Sequence, residues 1–281
     1  MRMKLKMFWM AMALCGIAGT AGAEDYRLVW SEEFDSDGKP DTACWNFEKG
    51  FVRNEELQWY VPDNAYCRDG LLVIEARKER FPNPLYEEGS RDWRASRKWV
   101  ECTSSSLNTA GKYSFLYGRM EVRARIPVAR GAWPAIWTLG TSMEWPSNGE
   151  IDVMEFYRIA GEPVIMANAA WGTDRRWEAR WNSKATPLSH FLAMNSGWTD
   201  EFHVWCMDWT EEYIRLYVDD ELLNEIKLSD TFNGKLGQGK NPFKAPQYIL
   251  LNLAVGGING GPVADEAWPM RYEVDYVRVY Q

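Results

Sequence analysis

The sequence predicts an all-β domain in which two sheets pack face to face. Short apolar or alternating runs rich in β-formers recur at residues 71–76, 118–126, 135–139, 150–157, 164–171, 202–209, 213–218, 248–254 and 272–280, with turn residues between them. No run has the length and period of a long helix and no βαβ alternation occurs, so the strands have only one another to bury their apolar faces against. At 281 residues, without repeats, heptads or a low-complexity linker, the chain is long enough for one large domain with a full core.

The chain begins with Arg2, Lys4 and Lys6, an apolar stretch over residues 7–17 and the small residues Ala21-Gly22-Ala23. That is the pattern of a secretion signal over residues 1–23, which leaves a domain over residues 24–281 and predicts an exported protein, periplasmic, at the cell surface or extracellular. The apolar part is too short for a permanent membrane anchor. Lipidation at Cys15 is the competing reading, disfavoured by the bulk of Leu14 before it. Loss of the signal removes three cations and no acid and takes the net charge from −8 to −11. Such a field repels nucleic-acid phosphates and argues against general affinity for heavily sulfated polymers, while neutral partners stay suitable. No obligatory protein partner is implied, and a monomer is the expectation.

Four cysteines remain after the signal: Cys44, Cys67, Cys102 and Cys206. They permit three two-bridge connectivities, or a mixture of one bridge and free thiols, and no spacing matches a metal site. Residues 77–99, dense in charge with Pro82 and Pro84, and residues 180–199, polar with Pro187 and His190, break the strand pattern and read as loops. Long ordered loops in a compact sandwich often border a site, so one or both are placed on its rim. Asp219-Asp220, between the runs 213–218 and 221–227, reads as a tight hairpin turn.

The run 150–157 carries the chemistry. Gly149-Glu150-Ile151-Asp152-Val153-Met154-Glu155-Phe156 packs three carboxylates into six residues of an otherwise apolar strand. Residues two apart share a strand face, so Glu150 and Asp152 point together while Glu155, five residues on, should point away. A β-bulge at Val153-Met154 would return Glu155 to their face. Three acids on one face repel, their titrations couple, and at least one keeps its proton near neutral pH. Retaining glycoside hydrolysis needs such a set, with one carboxylate to attack the anomeric carbon and a second, protonated at the outset, to serve the leaving oxygen. Glu150 and Glu155 would fill those roles, with Asp152 between them. A calcium site or a solvated acidic strand are the plainer readings. Against both, Trp133, Trp137 and Trp145 crowd beside the acids, and sugars stack on such faces.

The chain resembles glycoside hydrolase family 16, in the branch that contains bacterial laminarinases, over nearly all of residues 26–281. The resemblance rests on Leu28-Val29-Trp30-Ser31-Glu32-Glu33-Phe34, Asn54-Glu55-Glu56-Leu57-Gln58-Trp59-Tyr60, Leu71-Leu72-Val73-Ile74-Glu75-Ala76, Tyr117-Gly118-Arg119-Met120-Glu121-Val122-Arg123, Trp133-Pro134-Ala135-Ile136-Trp137, the acidic run with its extra Met, and Asp275-Tyr276-Val277-Arg278-Val279-Tyr280. It implies a concanavalin A-like β-jelly roll with a cleft across its concave sheet. It also implies that Glu150 is the nucleophile, Asp152 the assisting acid and Glu155 the general acid/base, with no cofactor in catalysis. Asn54 and Trp59 are similar to substrate-contacting residues. Glu33 and Asp275 are similar to calcium ligands on the convex side, which implies a structural calcium; acidic residues near strand ends are the ordinary alternative.

Further substrate contacts are expected from the strands. Along 118–126, Arg119, Glu121, Arg123 and Arg125 share a face opposite Met120, Val122 and Ala124. That polar face either lines the cleft, with Arg119 on sugar hydroxyls or an acid, or forms a solvated ion-pair ladder. Asn252, a lone amide in an apolar run followed by Gly256-Gly257, is assigned to the cleft, and Trp171 to the floor strand 164–171. Many laminarinases carry histidines in the strand corresponding to 164–171, and this one has none. Members of the branch from gut bacteria that cut β-galactosidic bonds in mucin-type O-glycans and poly-N-acetyllactosamine are similar in plan. The expected function is therefore secreted endo-β-glycosidase action on an oligo- or polysaccharide, leaning to β-galactosidic bonds. An endo-β-1,3(4)-glucanase, a transglycosylase and a non-catalytic lectin are the alternatives.

Overall fold

The computed structural model describes residues 26–281. The expected signal at residues 1–23 and Cys15 lie outside them. Two antiparallel sheets make the fold. The first, of eight strands, runs in the order Glu221–Lys227, Tyr213–Val218, His203–Trp209, Gly118–Arg125, Met270–Tyr280, Leu71–Ala76 and Ala65–Arg68, with Leu28–Glu32 also paired to Met270–Tyr280, so the first and last described strands are neighbours. The second, of seven strands, runs Ala179–Pro187, Glu162–Gly172, Glu150–Ile159, Ala132–Gly140, Gln247–Val255, Ser106–Asn108 and Asn46–Phe47. The acid-bearing strand sits third from the edge of that sheet. Facing residues from the two sheets form one core, with Ile136, Ile151, Phe156, Leu251 and Leu253 meeting Met120, Val122, Trp205, Met207, Trp209, Val274 and Val277. The alternation predicted along 118–126 is what the strand shows, with buried and half-buried residues in strict succession.

Residues 180–199 depart from the predicted loop. Ala179–Pro187 is an edge strand paired along its full length with Glu162–Gly172, and Leu188–Met194 is a helix. An edge strand with so much exposed surface needs no apolar alternation, and its polar residues, Lys184 among them, discourage pairing with other chains. The predicted loop 77–99 carries the short pair Phe81–Pro82 and Trp99–Val100 and a one-turn helix, Trp93–Ser96, and is tied to residues 51–56. Arg94 donates to the carbonyls of Phe51 and Val52, at 3.3 and 2.6 Å, and Arg97 to those of Glu55 and Glu56. All four cysteines are free thiols, so no bridge closes the fold.

Candidate active site

The bulge lies where the spacing of the acids requires it. Asp152 pairs with Asn168 and Glu155 with Met166, so Val153 and Met154 together oppose the single residue Ala167. The register with the other neighbour shifts at the same point, from Asp152 opposite Trp137 to Met154 opposite Ile136. Val153 and Met154 both enter the core, and Glu150, Asp152 and Glu155 emerge on the opposite face. Gly149, at φ +79°, sets the approach to Glu150. A Cβ there would stand 2.8 Å from Pro242, so only glycine fits.

Each acid has its own donors. Trp145 Nε1 donates to Glu150 at 2.5 Å and Trp133 Nε1 to Glu155 at 2.9 Å. Asn168 Nδ2 reaches both Asp152, at 3.3 Å, and Glu155, at 3.0 Å. Burial raises the proton affinity of all three, and the neighbouring negative charges add to it for Asp152 and Glu155. Glu155 is pushed up to about 7 and Asp152 well above the carboxylate range. Glu150 is raised too, but hydrogen bonds from Trp145 and Asp152 and the positive charge of Arg53 oppose the rise. Glu150 is thus the member best able to hold a negative charge, and Glu155 one that keeps its proton near neutral pH. The set can supply a nucleophile and an acid side by side.

On one flank the acids adjoin a polar network. Trp137 Nε1 donates to Asn252 Oδ1 at 2.7 Å, Asn252 Nδ2 to the Tyr60 hydroxyl at 3.1 Å, and Tyr60 in turn to Glu56. Gln58 and Asn54 also donate to Glu56. Arg53 stands 5.1 Å over the Trp137 ring and pairs with Glu48. Gly257, at φ +69°, lets the chain pass close to Asn54. A Cβ there would meet the Asn54 carbonyl at 2.7 Å.

The structure therefore brings together Glu150, Asp152, Glu155, Trp133, Trp137, Trp145, Asn252 and Asn54. Three other assignments are corrected. Arg119 belongs to the eight-stranded sheet, where it binds Glu121 and Asp208 on the outer face, so the ion-pair ladder and not the cleft is its place. Trp171 is 7% exposed and lies in the core against Phe243, because its alternation partners Ala167 and Ala169 face inward. Trp59 points away from Gln58 and Tyr60, into a cluster with Phe51 and Phe81. Glu33 and Asp275, the residues expected to hold a calcium, are each paired with an arginine. Arg278 takes both oxygens of Glu33, Arg123 pairs with Asp275, and no group of three metal-ligating acids, histidines or cysteines occurs among the described residues.

Asn168, Arg53 and Tyr60 did not figure among the expected site residues. The one legible sign of Asn168 was a lone amide in the apolar run 164–171. Arg53 immediately precedes a quoted motif, and Tyr60 stands within it.

Known proteins share this plan. The chain is 37% identical over 278 residues to a beta-glucanase of Rhodothermus marinus, covering 92% of this chain and 86% of that protein. It is 29% identical to a keratan-sulfate endo-1,4-beta-galactosidase of Sphingobacterium multivorum over 94% of this chain and 57% of that longer protein. A solved structure from work on endo-acting O-glycanases, which prominent members of the human gut microbiota express to initiate mucin breakdown, aligns with a TM-score of 0.78 at 35% identity over 91% of each chain. The model of glycosyl hydrolases family 16 matches residues 54–278. The bulged acidic strand and this agreement lead to one conclusion: the chain belongs to glycoside hydrolase family 16 and is an endo-acting glycosidase.

Proposed function

We propose that this chain is an exported, retaining endo-β-glycosidase for β-galactosidic bonds inside mucin-type O-glycans or poly-N-acetyllactosamine. The observation that carries the mechanism is the bulge, which sets Glu150 and Glu155 on one face, both raised in proton affinity by burial, with Trp145, Asp152 and Arg53 opposing the rise at Glu150 and the charges of Glu150 and Glu56 adding to it at Glu155. Glu150 attacks the anomeric carbon as the bond to the leaving sugar breaks, and the Glu155 proton passes to the departing oxygen. Glu155, now a carboxylate, takes a proton from water as that water displaces Glu150 from the same carbon, so configuration is retained. Asp152 acts through its hydrogen bond to Glu150 and Asn168 through its bonds to the other two acids.

The substrate reading is supported by the likeness to the mucin-active structure and to the galactosidase, and by a Glu162–Gly172 strand that offers Asn168 and no histidine. The basic, apolar and small-residue order at residues 1–23 supports export. A second reading, endo-β-1,3(4)-glucanase action, is favoured by the identity to the beta-glucanase. Mass spectrometry of products from mucin O-glycans, poly-N-acetyllactosamine, laminarin and mixed-linkage glucan separates them. The expected result is galactose at the new reducing end and intact laminarin. Laminarin fragments with mucin untouched would replace the first reading by the second, and products longer than the starting glycan would reveal transglycosylation.

The acid role of Glu155 also sets a pH dependence. Its proton is needed for the first step and is held up to a pKa of about 7, so kcat/KM should fall as pH rises through that value. A rate still climbing toward pH ~9 would contradict the assignment.

A further inference from the structure

The polar network of Arg53, Tyr60 and Asn252 occupies only one flank of the acids. Across the other flank the sheet register lines up Glu150, Ala170 and Trp181 on three successive strands. Strands lie about 4.8 Å apart, so Trp181 stands on the order of 10 Å from Glu150 along that row, within reach of a short oligosaccharide. Its face is settled by its neighbours. Arg180 pairs with the core residue Trp171, and Asn182 accepts a hydrogen bond from Asn224 of the opposite sheet at 3.1 Å. Trp181, between them, must project to the side of the acids.

Trp181 is 48% exposed and Trp177, a few residues earlier, 56%. These are the most exposed tryptophans among the described residues. Trp177 stacks on Trp145 with centroids 6.4 Å apart and planes at 20°, and Trp145 is the residue that donates to Glu150. Trp177 also has φ +63°, a left-handed conformation that costs free energy for a bulky side chain. A double hydrogen bond from Arg176 to Glu144, at 2.9 and 2.7 Å, ties its loop to the loop carrying Trp145. Exposed indole faces are unfavourable for the free protein, and an apolar occupant stacked on the rings would offset that cost. Arg175 and Arg176 are both paired with glutamates, so no free charge on this loop asks for an anion. The floor between Glu150 and Trp181 is the small residue Ala170, with Ser183 and Ala185 along the same strand face.

We infer that Trp181 and Trp177 form a sugar-stacking subsite, continuous with the acids, that holds the C–H face of an uncharged ring of the glycan on the flank away from Arg53. The subsite rests on the endo-glycosidase reading and lengthens the chain that the cleft grips. Trp181→Ala, at an exposed position away from the acids' own hydrogen bonds, and Trp177→Ala, which also removes the ring stacked on Trp145, test it. Poly-N-acetyllactosamine and laminarin oligosaccharides of stepped length are titrated calorimetrically into Glu150→Gln protein with and without each change, and cleavage is followed in the Glu150-intact forms. The expected result is about tenfold weaker binding and a similarly raised KM for the longest chains. The shortest chains change less than about twofold, and Trp181→Tyr recovers most of the loss. Binding and KM unchanged at every length in both variants overturn the subsite, as does the absence of any glycan binding by the Glu150→Gln protein. If the parent binds but cleaves nothing, the glycosidase reading falls while the length dependence of binding still decides the subsite.

Discussion

Replacing Glu150 by alanine should lower glycan cleavage by about 10⁴-fold or more, since the group that forms the covalent bond is gone and only binding and the acid remain. The same loss would follow from a structural defect, so the product of rescue matters more than the rate. In Glu150→Ala, added azide can enter the space the carboxylate leaves and attack the anomeric carbon directly. One displacement inverts the centre and yields an α-glycosyl azide. In Glu155→Ala the covalent intermediate still forms on an activated substrate, and azide then takes the place of water. Two displacements give a β-glycosyl azide. The two variants should therefore give opposite anomers, read by NMR. The same anomer from both would sink the division of roles. That division has a visible physical basis: Trp145, Asp152 and Arg53 all favour charge on Glu150, whereas the charges of Glu150 and Glu56 oppose it on Glu155.

Inserting one alanine between Met154 and Glu155 should have the other large effect. The native strand sets two residues, Val153 and Met154, against Ala167. A third would turn Glu155 into the core, or slip the rest of the strand by one residue and push the fully buried Phe156 out to water. Burying a carboxyl without a partner costs several kcal/mol, roughly 2–7, and loss of the acid alone costs about 10²–10⁴ in rate. Activity below detection and a fall in Tm of ten degrees or more, on the order expected for that cost, are the expected outcomes. Deletion of Met154 is the matched control. Glu150, Asp152 and Glu155 would then stand at every second residue of a regular strand and still share a face. The deletion removes a buried side chain, at a cost of about 2–5 kcal/mol, yet should leave measurable cleavage. Were the deletion as inactive as the insertion, the bulge would matter for something other than the facing of Glu155.

Much of the site was legible in the chain because strand geometry is local. A period of two and a five-residue gap between acids are enough to require a bulge between Asp152 and Glu155, and the structure places it there. Trp133 and Trp145 were legible only as aromatics flanking the acidic run along the chain, and each proves to donate to one of the acids. The segment 180–199 was not legible, since an exposed edge strand lacks the apolar alternation by which strands are recognised.

The sequence by itself determined an all-β sandwich and which side chains along each strand share a face. It could not assign a face to a sheet or to a side of the sandwich. Arg119 and Glu150 are both polar residues on alternating strands, and only the long-range pairing of Gly118–Arg125 with Met270–Tyr280 puts one outside the eight-stranded sheet while the other looks into the cleft. Trp171 and Trp181 differ likewise: register sends the first into the core and the second onto the row of Glu150. Alternation is a property of neighbouring residues, whereas sheet membership and register are decided by contacts between segments far apart in the chain, and those exist only once it has folded.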